Sequence, residues 1–275
     1  MEVEVYSPGN VFRASGIRDK EGIIMANTCA ICGATINVFQ SQKLADGNYI
    51  CRKECCKKAL TKYFDFVHAT LPEYQSHVAQ VERGTKIWEQ LFVPKLKTKD
   101  KDEKLERHYQ PMIVAPDLGL VALLETRYKF MNFGKSEHAC VFRLDDLVCY
   151  QTEKETKTVD GKEQTEYYIH YAFRNTSALA DFRVRYANAS ECQAVEKYFN
   201  KLFGIQKTLG NSINNSKRQM NAIKDIASAV SAAAKGEDLA ESKVDTALDS
   251  LDVAVYGDRS QLKARADAAL AAFGG

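Results

Sequence analysis

Cys29 and Cys32 stand with two residues between them, and Cys51, Cys55 and Cys56 bring a second cluster of thiols close behind them. A tetrahedral ion such as Zn2+ is held by this pattern: each cluster wraps one side of the ion and the intervening loop returns the chain to the other. Four thiolates close the coordination shell, so the implied role is structural, with no position left for water or substrate. The binding energy of the ion then becomes folding energy for a segment too small to build a core. The expected ligands are Cys29, Cys32, Cys51 and Cys55. Cys56 is the alternative fourth ligand, because the second cluster is irregular, with an extra residue between Cys51 and Cys55. Cys140, Cys149 and Cys192 lie in sequence that reads as strand or helix and are expected as core thiols.

Other chemistry finds fewer supports. His68, His77, His108, His138 and His170 form no ligand-spaced pair on a helix, and His138 near Cys140 falls in a strand pattern that poises neither for the other. Asp145-Asp146, flanked by Leu144 and Leu147, reads as a turn, and no glycine-rich phosphate loop is present. Arg52, Lys53, Lys57, Lys58 and Lys62 give the cysteine segment positive charge, diluted by Glu54 and Asp65. Nucleic-acid binding is therefore a second expectation beside protein binding.

The elements that must position these residues follow from periodicity. Asp46-Gly47 sits between strand-like flanks and marks a hairpin framed by the two cysteine turns. Leu60, Tyr63, Phe64 and Val67 fall on one face of a short helix, and Pro72 opens a second helix running to about 92. The charged run 95–104 reads as a solvated linker. From about 108 to 188 the period changes to two, with strands expected at 112–114, 120–129, 139–142, 147–151, 167–173 and 182–186. Turns at 116–119, 132–135 and 159–162 make these an antiparallel meander. A helix follows from Ala189, with Val195, Tyr198, Phe199, Leu202 and Phe203 as its apolar stripe and Gly204 as its end.

Beyond 204 the sequence becomes alanine-rich, with helices expected at 217–235, 238–253 and 259–273. Alanine favours the helix but buries little area, so these helices need a surface to pack on, and a second copy of the chain is one candidate. The closing Gly274-Gly275 reads as a frayed helix end.

The cysteine segment resembles the amino-terminal domain of an uncharacterised bacterial family. The resemblance rests on the pair followed by glycine at 29–33, the Lys-Leu-x-Asp-Gly hairpin at 43–47, and the aromatic-aliphatic-cysteine step Tyr49-Ile50-Cys51. It implies a zinc-ribbon-like module followed by a PH-like β-domain. The expected fold class is thus α+β: a disordered arm at 1–26, the zinc-ribbon-like module at 27–60, a helical connector at 61–105, a PH-like antiparallel β-domain with its capping helix at 106–204, and a helical tail at 205–275. PH-like sheets recognise peptides or phosphoinositides. The basic residues between the first strands are only Arg127, Lys129 and Lys135, which favours a protein partner or self-association over a lipid head group.

A chain of 275 residues, 45% hydrophobic, has room for roughly two domains. Its net charge of +2 exerts no global pull on nucleic acid or membrane. No apolar stretch approaches the ~20 residues of a membrane span. The acidic start lacks the pattern of a secretory signal, so a cytoplasmic location with reduced thiols is expected. Residues 1–24 show no periodicity, and Met25, just ahead of the cysteine segment, is an alternative natural start.

Overall fold

The computed structural model describes residues 27–100, 104–105, 109–128, 134–174, 179–205 and 258–273. The expected arm, the helices at 217–235 and 238–253 and the terminal Gly-Gly lie outside the described residues. What is described is a mixed helix and sheet structure: a small β-rich amino-terminal module, and two separate three-stranded antiparallel sheets flanked by helices.

The module contains two short hairpins. Strands β1 (Asn27–Thr28) and β2 (Thr35–Ile36) pair across the first cysteine turn, and β3 (Ser41–Lys43) pairs with β4 (Tyr49–Cys51). The second hairpin turns at Asp46-Gly47, where Gly47 has φ +84, a value that glycine alone adopts without strain. The Asp46 carboxylate also accepts the Leu71 N–H at 2.8 Å, tying the turn to the first turn of helix α1 (Leu71–Ile87). That helix starts at a capping box: Glu73 reaches back to the Thr70 N–H at 2.7 Å, and Pro72 occupies a first-turn position where no amide hydrogen is needed.

The helix expected over Leu60, Tyr63, Phe64 and Val67 does not form; the chain makes turns at 61–63 and 66–68 instead. Its apolar residues serve two cores instead of one face. Leu60 enters the core between the sheets, Phe64 packs into the module against His77, and Val67 is exposed. Helix α1 ends at Ile87, but the helical path continues past the expected end near 92. A π turn at Trp88–Phe92 leads into α2 (Val93–Lys97), and the wider turn accommodates Pro94, which lacks an amide hydrogen for the α ladder. Lys95, expected in the solvated linker, pairs with Asp117 at 2.5 Å.

Strands β5 (Met112–Ala115), β6 (Leu120–Tyr128) and β7 (Lys135–Arg143) form one sheet. Strands β8 (Leu147–Val159), β9 (Lys162–Phe173) and β10 (Asp181–Tyr186) form the other. Both faces of the first sheet are covered, which accounts for the continuous apolar runs of β5 and β6. Met112, Val114, Val121 and Leu123 meet Tyr171, Phe173, Phe182 and Val184 of the second sheet. Ile113, Leu120, Ala122 and Leu124 face Ile87, Trp88 and Phe92. Helix α3 (Ala189–Leu202) closes the inter-sheet core with Cys192, Val195 and Phe199, and Gly204 ends it with φ +68.

The β8–β9 hairpin is much longer than expected. It runs to a tight turn where Asp160 and Gly161 both have positive φ, the geometry that suits a two-residue hairpin. Its outer part carries no apolar alternation and is bound by cross-strand charge, as in Lys157–Glu166 at 2.8 Å, while Arg183 of β10 reaches across to Glu153 at 3.0 Å. Helix α4 (Ser260–Leu270), expected in the helical tail, is seated on the first sheet and runs on into a short 3-10 turn at Ala271–Phe273. Leu262 and Ala266 are buried there against the 116–119 turn, and Arg143 pairs with Asp267 at 2.7 Å.

Candidate metal centre

The first cysteine turn is closed by the Gly33 N–H donating to the Cys29 carbonyl at 2.9 Å. Gly33 has φ +71, so the residue after the pair must enter the left-handed region for β2 to turn back. The second turn leaves β4 at Cys51, passes through exposed Arg52, Lys53 and Glu54, and returns at Cys55. The Ala30 N–H donates to the Tyr49 carbonyl at 2.8 Å and holds the two turns side by side.

This arrangement gathers Sγ of Cys29, Cys32, Cys51 and Cys55 within 4.8 Å of one another. The Cys29–Cys55 and Cys32–Cys51 sulfur separations are 3.7 and 3.9 Å. A disulfide needs about 2.05 Å, whereas a tetrahedron with metal–sulfur bonds of about 2.3 Å has edges of about 3.8 Å. The donor set and spacing therefore fit a tetrahedral ion, and all eight cysteines are free thiols. The extra residue of the second cluster is absorbed in the 52–54 turn. Cys55 supplies the fourth sulfur of the group, and Cys56 lies in the module's core outside it.

Backbone amides prepare these sulfurs for negative charge. The Cys51 N–H points to Cys29 Sγ at 3.3 Å and the Cys55 N–H to Cys51 Sγ at 3.3 Å. Burial opposes ionisation of Cys29, but amides of Cys32, Ile31 and Cys51 outweigh it and bring the thiol down to about 6. Burial and the neighbouring sulfurs push Cys55 up, so in the absence of an ion the cluster resists gaining further negative charge. A divalent cation reverses that balance by stabilising every thiolate at once. Cys56, pushed up to about 11 by burial, remains an ordinary thiol.

Residues far along the chain complete the surroundings. The Tyr74 hydroxyl donates to the Cys55 carbonyl at 2.5 Å. Arg127 of β6 donates to the carbonyls of Lys57 and Ala59, the latter at 2.6 Å. Glu125, also on β6, accepts from the Thr61 hydroxyl at 2.9 Å and the Lys62 N–H at 3.2 Å. Sequence reasoning considered Arg127 only as a head-group ligand and passed over Glu125. Arg127 is instead committed to Glu125 and the module's exit, and Lys135 pairs with Glu137 at 3.0 Å.

Cys140 and Cys192 are fully buried, as core thiols should be. Cys149 is partly exposed, with Sγ 4.0 Å from His170 Nδ1, while His170 Nε2 lies 2.6 Å from Asp181. Burial and the carboxylates of Asp181 and Glu153 push this thiol up, which favours the protonated, weakly nucleophilic form. The grouping belongs to the polar outer ladder of the second sheet. It arises from strand register, which spacing alone does not reveal.

Comparison with protein families places this module. The family model described as "Domain of unknown function (DUF4428)" matches residues 28–77, a stretch that contains all four clustered cysteines and continues into α1. The amino-terminal part of the chain is thus similar to a domain family of unknown function. No curated protein and no solved structure matches the chain.

Proposed function

We propose that this chain is a non-catalytic, cytoplasmic adaptor whose amino-terminal module is fixed by one Zn2+ ion on Cys29, Cys32, Cys51 and Cys55. The β-sheets and helices then hold a protein partner or a second copy of the chain. The observation that carries the reading is the set of four sulfurs at tetrahedral spacing, since four protein donors fill the shell of a structural ion. An all-thiolate donor set is soft and suits zinc in a reducing compartment. Among the described residues no helix is long and apolar enough to cross a membrane.

The region 106–204 is read as a PH-like domain, supported by two three-stranded antiparallel sheets closed by α3. Two surfaces suit a protein partner. Val38 and Phe39 are 57% and 87% exposed on a turn locked by Asn37, which accepts the Gln40 N–H at 3.0 Å. Apolar side chains held outward on a rigid turn gain from being covered. Strand β8 ends its sheet and offers an edge for strand addition, with the Thr152 N–H taken by Glu196 at 2.7 Å and the Leu147 carbonyl by Arg259.

The second reading is a nucleic-acid-binding regulator. Arg52, Lys53, Lys57, Lys58 and Lys62 are all exposed, and the Arg52 N–H donates to the Gln40 carbonyl at 2.9 Å, beside Phe39. Phosphate contacts and base stacking would use such a surface, and affinity would then fall steeply with added salt.

Elemental analysis of protein purified without chelator is expected to find one zinc per chain. Cys29→Ser and Cys55→Ser should lose it, while Cys56→Ser keeps it. In pull-downs from native cells, the Val38→Ser/Phe39→Ser double variant should retain zinc and lose the partner. Metal-free wild type, or a partner set unchanged in the double variant together with salt-sensitive oligonucleotide binding, would refute the adaptor reading.

A further inference from the structure

The segment joining Cys55 to α1 is gripped from two sides. From β6, Arg127 holds the carbonyls of Lys57 and Ala59 while Glu125 takes the Thr61 hydroxyl and the Lys62 N–H. Arg127 Nε also donates to Glu125 at 2.7 Å, so the two side chains act as one unit. From α1, His77 Nε2 accepts the Leu60 N–H at 3.1 Å, and Tyr74 bonds the Cys55 carbonyl. Between these grips the Leu60 side chain, fully buried, enters the inter-sheet core.

Glu125 is only 3% exposed. A carboxylate at that depth is tolerable only while its partners are in place, and all but Arg127 belong to the segment that leaves the cysteine cluster. The carbonyls of Lys57 and Ala59 that Arg127 holds follow directly on Cys55, whose sulfur lies 3.7 Å from that of Cys29. The metal ligand and the buried carboxylate thus constrain the same short stretch of backbone.

We propose that Glu125 and Arg127 are positioning residues for the metal centre, and that through them metal occupancy and the stability of the two-sheet core form one coupled equilibrium. The proposal rests on the reading that the four thiolates hold an ion. Coupling is reciprocal: whatever factor the Glu125–Arg127 pair adds to metal affinity, the bound metal returns as stability of the sheets. A change at the thiols would therefore be felt in the β-core, through withdrawal of Leu60 and release of Glu125.

The full chain carries its own reporter. Trp88 is the sole tryptophan, and it is buried on the outer face of the first sheet, in a core that contains none of the clustered cysteines. Urea unfolding followed by its fluorescence is to be measured on zinc-loaded and chelator-stripped protein under reducing conditions, for wild type, Arg127→Met, Arg127→Lys and Val195→Ala. Val195→Ala weakens the same core from α3, and Val195 takes part in none of the hydrogen bonds of the grip. Metal affinity is to be read separately from the thiolate-to-Co2+ charge-transfer band in competition with a chelator.

In wild type, metal should raise the Trp88 midpoint. Arg127→Met should weaken Co2+ binding by roughly tenfold with the band shape unchanged, and should shrink the metal-induced shift of the midpoint. Arg127→Lys, which keeps the charge but loses the fork, should fall between and serves if the methionine variant does not fold. Val195→Ala should lower the midpoint in both states and leave the shift and the affinity intact. Equal losses of affinity in the arginine and Val195 variants, or a wild-type midpoint indifferent to bound metal, would overturn the coupling while leaving the metal centre standing. A wild type with no Co2+ band would remove the metal centre itself and the coupling with it.

Discussion

His77 illustrates how much a single side chain can be asked to do in this structure. Its ring is fully buried and stacks on Phe64 at 4.5 Å and 2°, while Nε2 accepts the Leu60 N–H. An imidazole accepting through one nitrogen must be neutral. Burial lowers its pKa from 6.5 to about 4, against the opposing pull of Gln80 and Glu125. The unfolded chain takes up the proton near 6.5 and the folded chain only near 4, so the stabilisation is present above 6.5 and lost as pH falls toward 4. The loss is worth roughly 3 kcal/mol, at about 1.4 kcal/mol per pH unit. His77→Gln keeps an acceptor for Leu60 without a titrating ring. In urea melts of zinc-loaded protein, wild type should lose more stability than this variant between pH 7 and 4.5. Parallel pH curves would show that the ring is protonated without cost. Nothing in the local sequence marked this residue, because the burial that neutralises it comes from Phe64 and Leu60, which were read as one face of a helix. The cysteines were legible for the opposite reason: ligand spacing within a turn is local, whereas Glu125 meets Thr61 across 64 positions of sequence.

Among the elements, α1 shows why periodicity located the helix and missed its most demanding contact. The apolar stripe and Pro72 fix where the helix begins, but the approach to β7 is set by a residue with no side chain. A Cβ at position 84 would fall against the Ala139 carbonyl oxygen and 2.9 Å from the Val141 nitrogen. Thr85 next to it takes the Ala139 N–H at 3.1 Å, so the helix satisfies part of the strand it covers. In an exposed helix, Gly→Ala stabilises by about 1 kcal/mol. Here the neighbours are backbone atoms of a paired strand and cannot give way as a flexible side chain would, so a steric cost of about 1–3 kcal/mol should exceed the gain. Gly84→Ala is expected to lower the urea midpoint seen by Trp88, one turn away. A raised midpoint would mean that the helix can retreat from the strand at little cost. The long β8–β9 hairpin escaped notice for a different physical reason. Its outer half faces water on both sides, so the alternation that reveals a half-buried strand is missing, and threonines and paired charges carry the ladder instead.

At the scale of the whole molecule, the carboxy-terminal sequence changes its meaning once the sheets are in view. Alanine-rich helices bury little, and a second copy of the chain was one surface they could use. The last of them finds its surface within the same chain. Gly119, with φ +65, lets α4 approach so closely that a Cβ there would lie 2.7 Å from the Ala266 nitrogen. Arg259, at the start of the helix, donates to the Leu147 carbonyl and lies 3.7 Å over the Phe203 ring, joining the end of α3 to the start of β8. The small residues expected to make this helix weak are what allow a close fit against the sheet, so its stability is drawn from the fold as a whole. Leu262 is 6% exposed in the inter-sheet core, and Leu262→Ala should cost about 2–5 kcal/mol. Light scattering and urea melts on the same preparation separate the two roles. If α4 is part of the fold, the variant lowers the Trp88 midpoint and leaves the molar mass unchanged. If the helix serves association between copies, the mass falls and the midpoint becomes dependent on protein concentration, because stability would then be shared between chains.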